Sequence, residues 1–467
     1  MVIVSVPWCD TNFALMAPAS LKPVVEKAGL SCLAVDINGE VVAKVKKQPN
    51  QHEILRFFFE NKITPEAAQW TFDMLLGMVK QILSFTPQWV GISTFSYLSK
   101  NTMTWLAYLL KKFDPSVKIV VGGPGCLENN FVGPATFTQK LIDHGFVDYH
   151  IRGDGEHALY NLLTGHDDFP GVNDEYWQQL TREELTNLPM PDYSDYDFSI
   201  YEKKMLGILG SRGCVRKCKF CDYIENWKKF TWRNGQDVYE EMLTQHRKYG
   251  IKHFKFQDSL VNGNLKEFTH FTTQLSAFNQ QRSDDRLKWT GFYIFREWTS
   301  NSEREWQLLH DGGAKVLNVG IENLNEHIRY DMGKKFSNAS IDRHLEQARK
   351  YKIFLVFLMI VGWHTETYQD IEFAKQWLDA HIEYKDTLAI SWGGTLGIFT
   401  DTYLDRNKDK LGIRMIGNTP QHWQNHHSNP EIRVQWVKEL EQHSINLGYT
   451  TIQRMDNHYL LEMLANA

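Results

Sequence analysis

Three thiols carry the strongest chemical signal in the sequence. They are Cys214, Cys218 and Cys221, inside the run Leu209-Gly210-Ser211-Arg212-Gly213-Cys214-Val215-Arg216-Lys217-Cys218-Lys219-Phe220-Cys221-Asp222. The spacing C-x3-C-x2-C lets one short loop wrap three corners of a cubic iron–sulfur cluster. A four-iron cluster normally takes four thiolates. Three leave one iron open to bind a substrate, the logic that separates catalytic from structural metal sites. A structural zinc site would want a fourth Cys or His close by, and the nearest downstream histidine is His246. A disulfide would leave one of three clustered thiols over. Arg212, Arg216, Lys217 and Lys219 suit a loop that offsets the charge of thiolates and sulfides, although bases in a solvated loop are common.

This spacing resembles that of the radical S-adenosylmethionine (SAM) superfamily. The resemblance implies a [4Fe-4S] cluster on Cys214, Cys218 and Cys221 whose open iron chelates the amino and carboxylate groups of SAM. It places Phe220 against the adenine. Further matches follow at the ends of later strands. Phe256-Gln257-Asp258-Ser259 stands where the family puts a polar contact to the SAM amino group, and a carboxylate can accept from an ammonium. Arg296 could pair with the SAM carboxylate, a planar bidentate task that suits guanidinium. Gly320-Ile321-Glu322-Asn323 is similar to the family's Gly-x-Glu-Ser segment, which implies SAM contacts for Glu322 and Asn323. Gly362 lies in Met359–Thr367, which resembles a Gly-x-Pro-Gly-Glu-Thr turn with Trp363-His364-Thr365 in place of Pro and Gly. Gly393-Gly394-Thr395 resembles a Pro-Gly-Thr segment. Each match has a plain alternative. Asp258 and Glu322 also fit as loop or helix-capping carboxylates, and Arg296 as a surface ion-pair residue.

Two other clusters read more plainly. His422, His426 and His427 with Trp423 could bind metal, but no Cys or His lies at finger spacing around them, which favours a solvated loop. Trp227, Lys228, Lys229, Phe230, Trp232 and Arg233 could stack on nucleic acid. Placed directly after the cysteine loop, they fit better as its cover.

These residues need a scaffold with many strand ends on one side. Up to residue 165, short β runs alternate with helices: strands Val2–Val6, Cys32–Ile37, Trp89–Thr94, Lys118–Val121 and Tyr149–Arg152, helices Pro18–Ala28, Pro65–Leu83 and Asn101–Phe113. Such alternation predicts βαβ units and a parallel sheet, with ligands at the carboxyl ends of the strands. Ser96-Tyr97-Leu98 follows the third strand, and Gly122-Gly123-Pro124-Gly125 the fourth. Gly153-Asp154-Gly155-Glu156 follows the fifth. This half resembles the cobalamin-binding domain found in front of many radical SAM enzymes. The resemblance implies cobalamin contacts for Ser96, Leu98, Gly122, Gly123, Gly125, Gly153 and Glu156. The companion Asp-x-His-x-x-Gly element is absent. Its place reads Pro7-Trp8-Cys9-Asp10-Thr11-Asn12, so no histidine stands ready to ligate cobalt from below.

Residues 166–204 read as a linker between domains, with Leu188-Pro189-Met190-Pro191-Asp192-Tyr193 extended by its prolines. Over 205–400 the alternation resumes with six strands: Gly207–Gly210, His253–Gln257, Lys288–Ile294, Lys315–Gly320, Phe354–Val361 and Thr387–Trp392. This predicts a partial (β/α)6 radical SAM barrel with the cysteine loop at its first carboxyl end. Residues 401–467 read as a polar, helix-rich extension with helices Glu431–Leu447 and Asp456–Leu464. The expected fold class is thus α/β: a Rossmann-like doubly wound domain (1–165), a linker, a partial barrel and a helical extension.

Composition sets bounds. At 467 residues, 42% hydrophobic and 23% charged, this is an ordinary globular chain long enough for two or three domains. A net charge of −5 counts against a nucleic-acid partner. Six cysteines do not make a disulfide framework. An oxygen-sensitive cluster suits a reducing compartment. The apolar run Ile353–Trp363 is too short to span a bilayer, and no signal peptide is read. A cytoplasmic protein without membrane contact is expected.

The function implied by the resemblance is reductive cleavage of SAM to a 5′-deoxyadenosyl radical, which removes hydrogen from an unactivated carbon. A cobalamin would then deliver a methyl group. The electron would come from an external one-electron reductant such as flavodoxin or ferredoxin, and the substrate would bind between the two domains. The alternative is radical oxidation, rearrangement or cyclisation without methyl transfer, favoured by the missing Asp-x-His-x-x-Gly. A third reading, from another class, is a non-catalytic iron–sulfur protein. The polar residues at successive strand ends argue against it. The substrate is not legible.

Overall fold

The computed structural model describes residues 1–9, 13–60, 62–127, 136–282 and 285–452. The expected helix Asp456–Leu464, and Asp10–Asn12 of the first strand's loop, lie outside the described residues. The chain divides into two compact units, Met1–Gly207 and Ile208–Ala467.

The first unit is built on five parallel strands: β1 (Val2–Ser5), β2 (Leu33–Asp36), β3 (Trp89–Ser93), β4 (Lys118–Gly122) and β5 (Tyr149–Ile151). Their order is β2-β1-β3-β4-β5. In this order the direction of winding reverses between β1 and β3, and the crevice at their carboxyl ends is where doubly wound sheets bind ligands. Val2, Val4, Val90, Ile92, Ile119 and Val121 point into one core with helices Pro65–Leu83 and Lys100–Phe113. Ile3, Val120 and Ile151 turn to the other face. Alternate residues of one strand thus serve opposite layers.

Residues 166–204, expected as an interdomain linker, pack against the first unit. Tyr201 donates to Asp36 Oδ2 at 2.8 Å, and Asp192 N–H to the Ala19 carbonyl at 2.8 Å. Lys22 Nζ meets Asp195 Oδ2 at 2.7 Å. Asp36 also accepts from Ser5 Oγ (2.5 Å) and Leu15 N–H (3.0 Å), so one buried carboxylate ties three segments together.

The second unit holds an open run of seven strands, hydrogen-bonded in chain order from one edge to the other. They are β6 (Met205–Ile208), which begins before the boundary, β7 (His253–Phe256), β8 (Lys288–Tyr293), β9 (Ala314–Glu322), β10 (Phe354–Met359), β11 (Leu388–Ser391) and β12 (Thr450–Thr451). The pairings from β7 to β12 are parallel. The sequence reading placed six of these strands to within a few residues and missed β12. That strand is two residues long and pairs through Ala389 and Ile390, too short for any periodicity.

Over residues 401–452 the chain is helical only in part. It contains the helix Pro430–Leu447, a short helix Tyr403–Arg406 and the antiparallel pair Arg414-Met415 with Trp423-Gln424. Leu404, Ile413 and Trp423 share a buried cluster with Ile328, Met332 and Trp363, against which Phe220 packs.

Candidate functional site

The cysteine loop leaves the carboxyl end of β6 and is fixed at its start. Asp258, just beyond β7, accepts from Gly210 N–H at 2.9 Å and from Ser211 Oγ at 2.5 Å. Burial nevertheless pushes its carboxyl up to about 7. Arg233 donates to the Leu209 carbonyl at 3.0 Å and pairs with buried Glu241 at 2.6 Å. Ser211-Arg212 pairs antiparallel with Thr231-Trp232, making a small ribbon around the loop. Gly213 has φ +82°, and a Cβ there would lie 2.1 Å from the Lys229 carbonyl oxygen. Only glycine allows that approach. The Trp227–Arg233 stretch thus borders the loop.

Cys218 is buried, and Cys214 and Cys221 are half-buried. Arg216 N–H points at Cys214 Sγ at 3.4 Å, and the N–H groups of Tyr223 and Ile224 act on Cys221. Burial pushes all three thiols up, Cys221 to about 12, while the Lys334 charge pulls Cys214 and Cys218 down. Among the described residues, no group of three or more His, Cys, Asp or Glu is arranged to hold a metal ion. In a four-iron cluster each thiolate takes a separate iron, so the donors need not converge on one point. Three thiols on one loop, backbone N–H groups at sulfur and nearby cations fit such a group.

Opposite the loop stands a residue that sequence reasoning missed. Lys334 Nζ lies 2.9 Å from Glu322 Oε1, with both side chains about one-tenth exposed. Burial works against the ammonium, yet Glu322 and the thiols of Cys218 and Cys214 raise it overall. Glu322 closes β9 at φ +67°, an uncommon conformation for a non-glycine residue. A Cβ on Gly320 would fall 2.3 Å from Glu322 Oε1 and 2.8 Å from Lys334 Nζ, so the ion pair occupies that space. Gly333, at φ +95°, backs onto Lys217 and Cys218. Lys219 N–H donates to the Met332 carbonyl at 3.1 Å, and its ammonium pairs with Asp331. The signal was present in Asp331-Met332-Gly333-Lys334, but a Lys in a polar turn reads as solvated.

The other expected SAM residues are placed as follows. Asn323 Nδ2 donates to Glu366 Oε1 at 2.5 Å. Glu366 also accepts the N–H of Trp363 at 3.1 Å and of Gly362. Arg296, past the end of β8, donates to the Asn262 carbonyl. The side chain of Gln257 is exposed, while its N–H donates to Ile208 in β6 at 2.9 Å. Gly362 packs on Arg433. The loop cysteines, Glu322 and Lys334 are brought together, and Asp258 holds the start of the loop. His422 contacts Thr419 at 2.7 Å, and the rings of His426 and His427 lie tilted at 44° with centroids 3.7 Å apart.

In the first unit, Ser96 Oγ donates to the Trp8 carbonyl at 3.1 Å, tying the β3 loop to the β1 loop. Leu98 packs on the core. A Cβ on Gly123 would lie 2.3 Å from the Thr94 carbonyl oxygen, and one on Gly125 the same distance from that of Ser96. Gly153 meets Gln178 at 2.1 Å in the same sense, and Glu156 is buried in the first turn of its helix. Gly122 differs: its nearest neighbour would be the Ile151 carbonyl oxygen at 3.6 Å. Phe95 and Tyr97, at the end of β3, are about half exposed.

Residues 208–378 match the model of the radical SAM superfamily. They form a radical SAM catalytic domain, and the chain has the fold of a radical SAM enzyme. Over 360 residues it is 26% identical to an uncharacterized methyltransferase of Pyrococcus horikoshii, covering 70% of this chain and 72% of that protein. It is 24% identical over 322 residues to an anaerobic magnesium-protoporphyrin IX monomethyl ester cyclase of Synechocystis sp., covering 62% and 58%. Its fold is similar to that of the radical S-adenosylmethionine methyltransferase TsrM from Kitasatospora setae, solved with cobalamin and a [4Fe-4S] cluster. The TM-score is 0.63 at 15% identity, over 95% of this chain and 81% of that one. It is also similar in fold to the cobalamin-dependent radical enzyme OxsB, with a TM-score of 0.57 at 16% identity over 88% and 55%. No helix among the described residues is long and apolar enough to cross a membrane.

Proposed function

We propose that this chain is a cobalamin-dependent radical SAM methyltransferase acting on an unactivated carbon. The observation that carries the reading is the loop of Cys214, Cys218 and Cys221 held at a strand end beside the Glu322–Lys334 pair. When bound, a [4Fe-4S] cluster and SAM would supply a carbon radical, and cobalamin a transferable methyl group. The three thiols would hold the cluster. Asp258 keeps the loop in place through Gly210 and Ser211. Lys334 offsets negative charge at the thiols. Glu322 and Asn323 lie at the end of β9, where they would orient the SAM ribose and amino-acid end. Phe220 offers an aromatic face for the adenine. In the first unit, the carboxyl ends of β1, β3 and β4, with exposed Phe95 and Tyr97 and the open face of Gly122, would take the corrinoid. An external one-electron reductant such as flavodoxin or ferredoxin would be needed.

A second reading keeps the radical chemistry without methyl transfer. The absence of histidine from Pro7–Asn12 favours it, and three of the relatives are cyclases. Anaerobic purification with iron, sulfide and hydroxocobalamin separates the two. A corrinoid absorbance band that survives desalting supports methyl transfer; cluster absorbance and SAM cleavage without it support the second.

A further inference from the structure

Two segments pack against the half of the cysteine loop that carries Cys218 and Cys221, and they are held differently. One is the turn 331–334, with Gly333 against the backbone of Lys217 and Cys218. Beside it, Arg329 is fully buried and donates to the carbonyls of Asn323 (2.9 Å), Leu324 (3.2 Å) and Phe336 (3.1 Å) and to Asn338 Oδ1 (2.6 Å). The other is the stretch 401–406, which ends in the short helix Tyr403–Arg406. It meets the loop and its exit at three points. Lys219 Nζ stands over the Tyr403 ring, 5.2 Å from its centroid. Arg406 spans both oxygens of Glu225, in the helix Tyr223–Asn226 that follows Cys221, at 3.1 Å each. Leu404 is fully buried in the cluster against which Phe220 packs.

The strengths of these contacts decide which cover opens. Pulling the 331–334 turn away would strand the buried Arg329 charge, a large loss. The Arg406 side chain is 54% exposed, so its pair with Glu225 is screened by water and salt, and such a pair shifts an equilibrium only a fewfold. Tyr403 is 40% exposed, and a cation over an exposed ring is equally weak. The stretch is stiff within itself. Asp405 N–H donates to Thr402 Oγ1 at 3.4 Å, Asp401 N–H to Asp405 Oδ2 at 3.1 Å, and Arg406 to the Asp401 carbonyl. Leu404 is thus the pivot, and Tyr403 and Arg406 are tips that lift together. Cys218 is 7% exposed, so a metal or a reagent reaches its sulfur only when part of the cover opens. The cover held by surface contacts opens first.

We propose that residues 401–406 form a strap that opens and closes over the Cys218–Cys221 half of the cysteine loop and sets how fast iron and sulfide reach and leave those thiols. That the thiols hold a cluster rests on the functional reading above; the gating of the thiols does not.

The test uses full-length protein, stripped of iron and held reduced and anaerobic. Pulses of iodoacetamide followed by peptide mass spectrometry give a labelling rate for each cysteine, with Cys9 and Cys32 of the other unit as references. In Arg406→Gln and Tyr403→Ala the rates at Cys218 and Cys221 should rise roughly two- to fivefold, the range that an exposed contact allows, while Cys214, Cys9 and Cys32 hold. Arg406→Glu should rise at least as far, and the swap Arg406→Glu/Glu225→Arg should return towards wild type. The ratio of variant to wild type should be the same at about pH 7 and at about pH 8.5, near the ordinary thiol value, because access and not thiol acidity has changed. In reconstituted protein, a ferrous chelator should bleach cluster absorbance faster by the same factor. Rates at Cys218 and Cys221 that are equal in all five proteins overturn the strap. So does a rise shared by Cys9 and Cys32, which reports general loosening, and so does a ratio that changes with pH. Thiols that respond as expected in a protein that never builds a four-iron cluster overturn the functional reading and leave the strap standing.

Discussion

The stem of Arg433 fills the space that a side chain on Gly362 would need. A Cβ on Gly362 would lie 2.0 Å from Arg433 Cδ. Arg433, in the helix Pro430–Leu447, is fully buried. Its guanidinium lies 3.8 Å above the Trp423 ring and donates to the carbonyls of Trp423 (2.6 Å) and Gln421 (3.0 Å). Burial holds it down at about 10. Gly362 in turn passes its N–H to Glu366, which holds Asn323, the neighbour of Glu322. Asn425 Nδ2 donates to the His364 carbonyl at 2.6 Å, a second brace on the same turn. The region after residue 400 thus supports the end of β10 and, through it, the end of β9.

Gly362→Ala should therefore destabilise the second unit. Overpacking costs about 1–3 kcal/mol, and φ +91° adds strain for a residue with a Cβ. Thermal melts should show a drop of several degrees, and SAM binding should weaken while iron content holds. A variant that melts with wild type would mean that the Arg433 stem yields freely.

Alanine at Cys214, Cys218 or Cys221 should abolish the reduced four-iron signal in electron paramagnetic resonance and with it SAM cleavage. Cys218, the most buried of the three, is the stringent case. SAM cleavage that persists in any single variant would remove the cluster assignment.

Lys334→Met leaves the buried Glu322 carboxylate without its ammonium. Breaking one side of a buried pair costs about 3–5 kcal/mol, whereas replacing both partners is far milder. The double variant Lys334→Met/Glu322→Gln should thus be more stable than Lys334→Met alone. Chemical denaturation of the four-protein cycle measures the coupling. Additive losses would show that the two side chains do not depend on each other.

Glu366 gives a pH dependence with a definite sign. Burial holds its carboxyl up at about 7, against the pull of Gly362 N–H, the Asn323 amide and Trp363 N–H. The unfolded chain releases that proton near 4.5. Between those values the folded protein keeps a proton that the unfolded chain has lost. Stability from this group is therefore full below about 4.5 and falls as pH rises to about 7. Glu366→Gln should flatten that part of the profile in urea titrations at successive pH values. Identical slopes in variant and wild type would contradict it.

Sequence periodicity recovered the strands because their apolar runs are long and bounded by turn residues. Pro65–Leu83 matches residue for residue, its ends marked by Pro65 at the first turn and Ser84 beyond the last. What the sequence hid is contact between distant polar residues. The cysteine loop was legible from spacing alone, but nothing local shows that Asp258 holds the loop, that Lys334 faces it, or that Arg433 lies under Gly362. The prolines of 188–193 predicted extended backbone but not where it lies, because Asp192 and Tyr201 find partners more than 150 residues away.

The glycines after β4 allow a clean test of corrinoid binding, provided the right one is changed. A side chain at Gly123 would strike the Thr94 carbonyl at 2.3 Å and must adopt φ +103°, so Gly123→Val disrupts the chain's own packing whatever binds there. Gly122 has only ordinary contacts, the closest at 3.6 Å. Gly122→Val should leave the melting temperature of the first unit within a few degrees of wild type while filling space at the carboxyl end of β4. If a corrinoid tail enters there, bound cobalamin in Gly122→Val should fall at least tenfold below wild type by absorbance after desalting. SAM cleavage should persist, because the cysteine loop belongs to the other unit. Equal corrinoid stoichiometry in the two folded proteins would move the tail elsewhere. Wild type that never takes up corrinoid would leave the radical chemistry without methyl transfer.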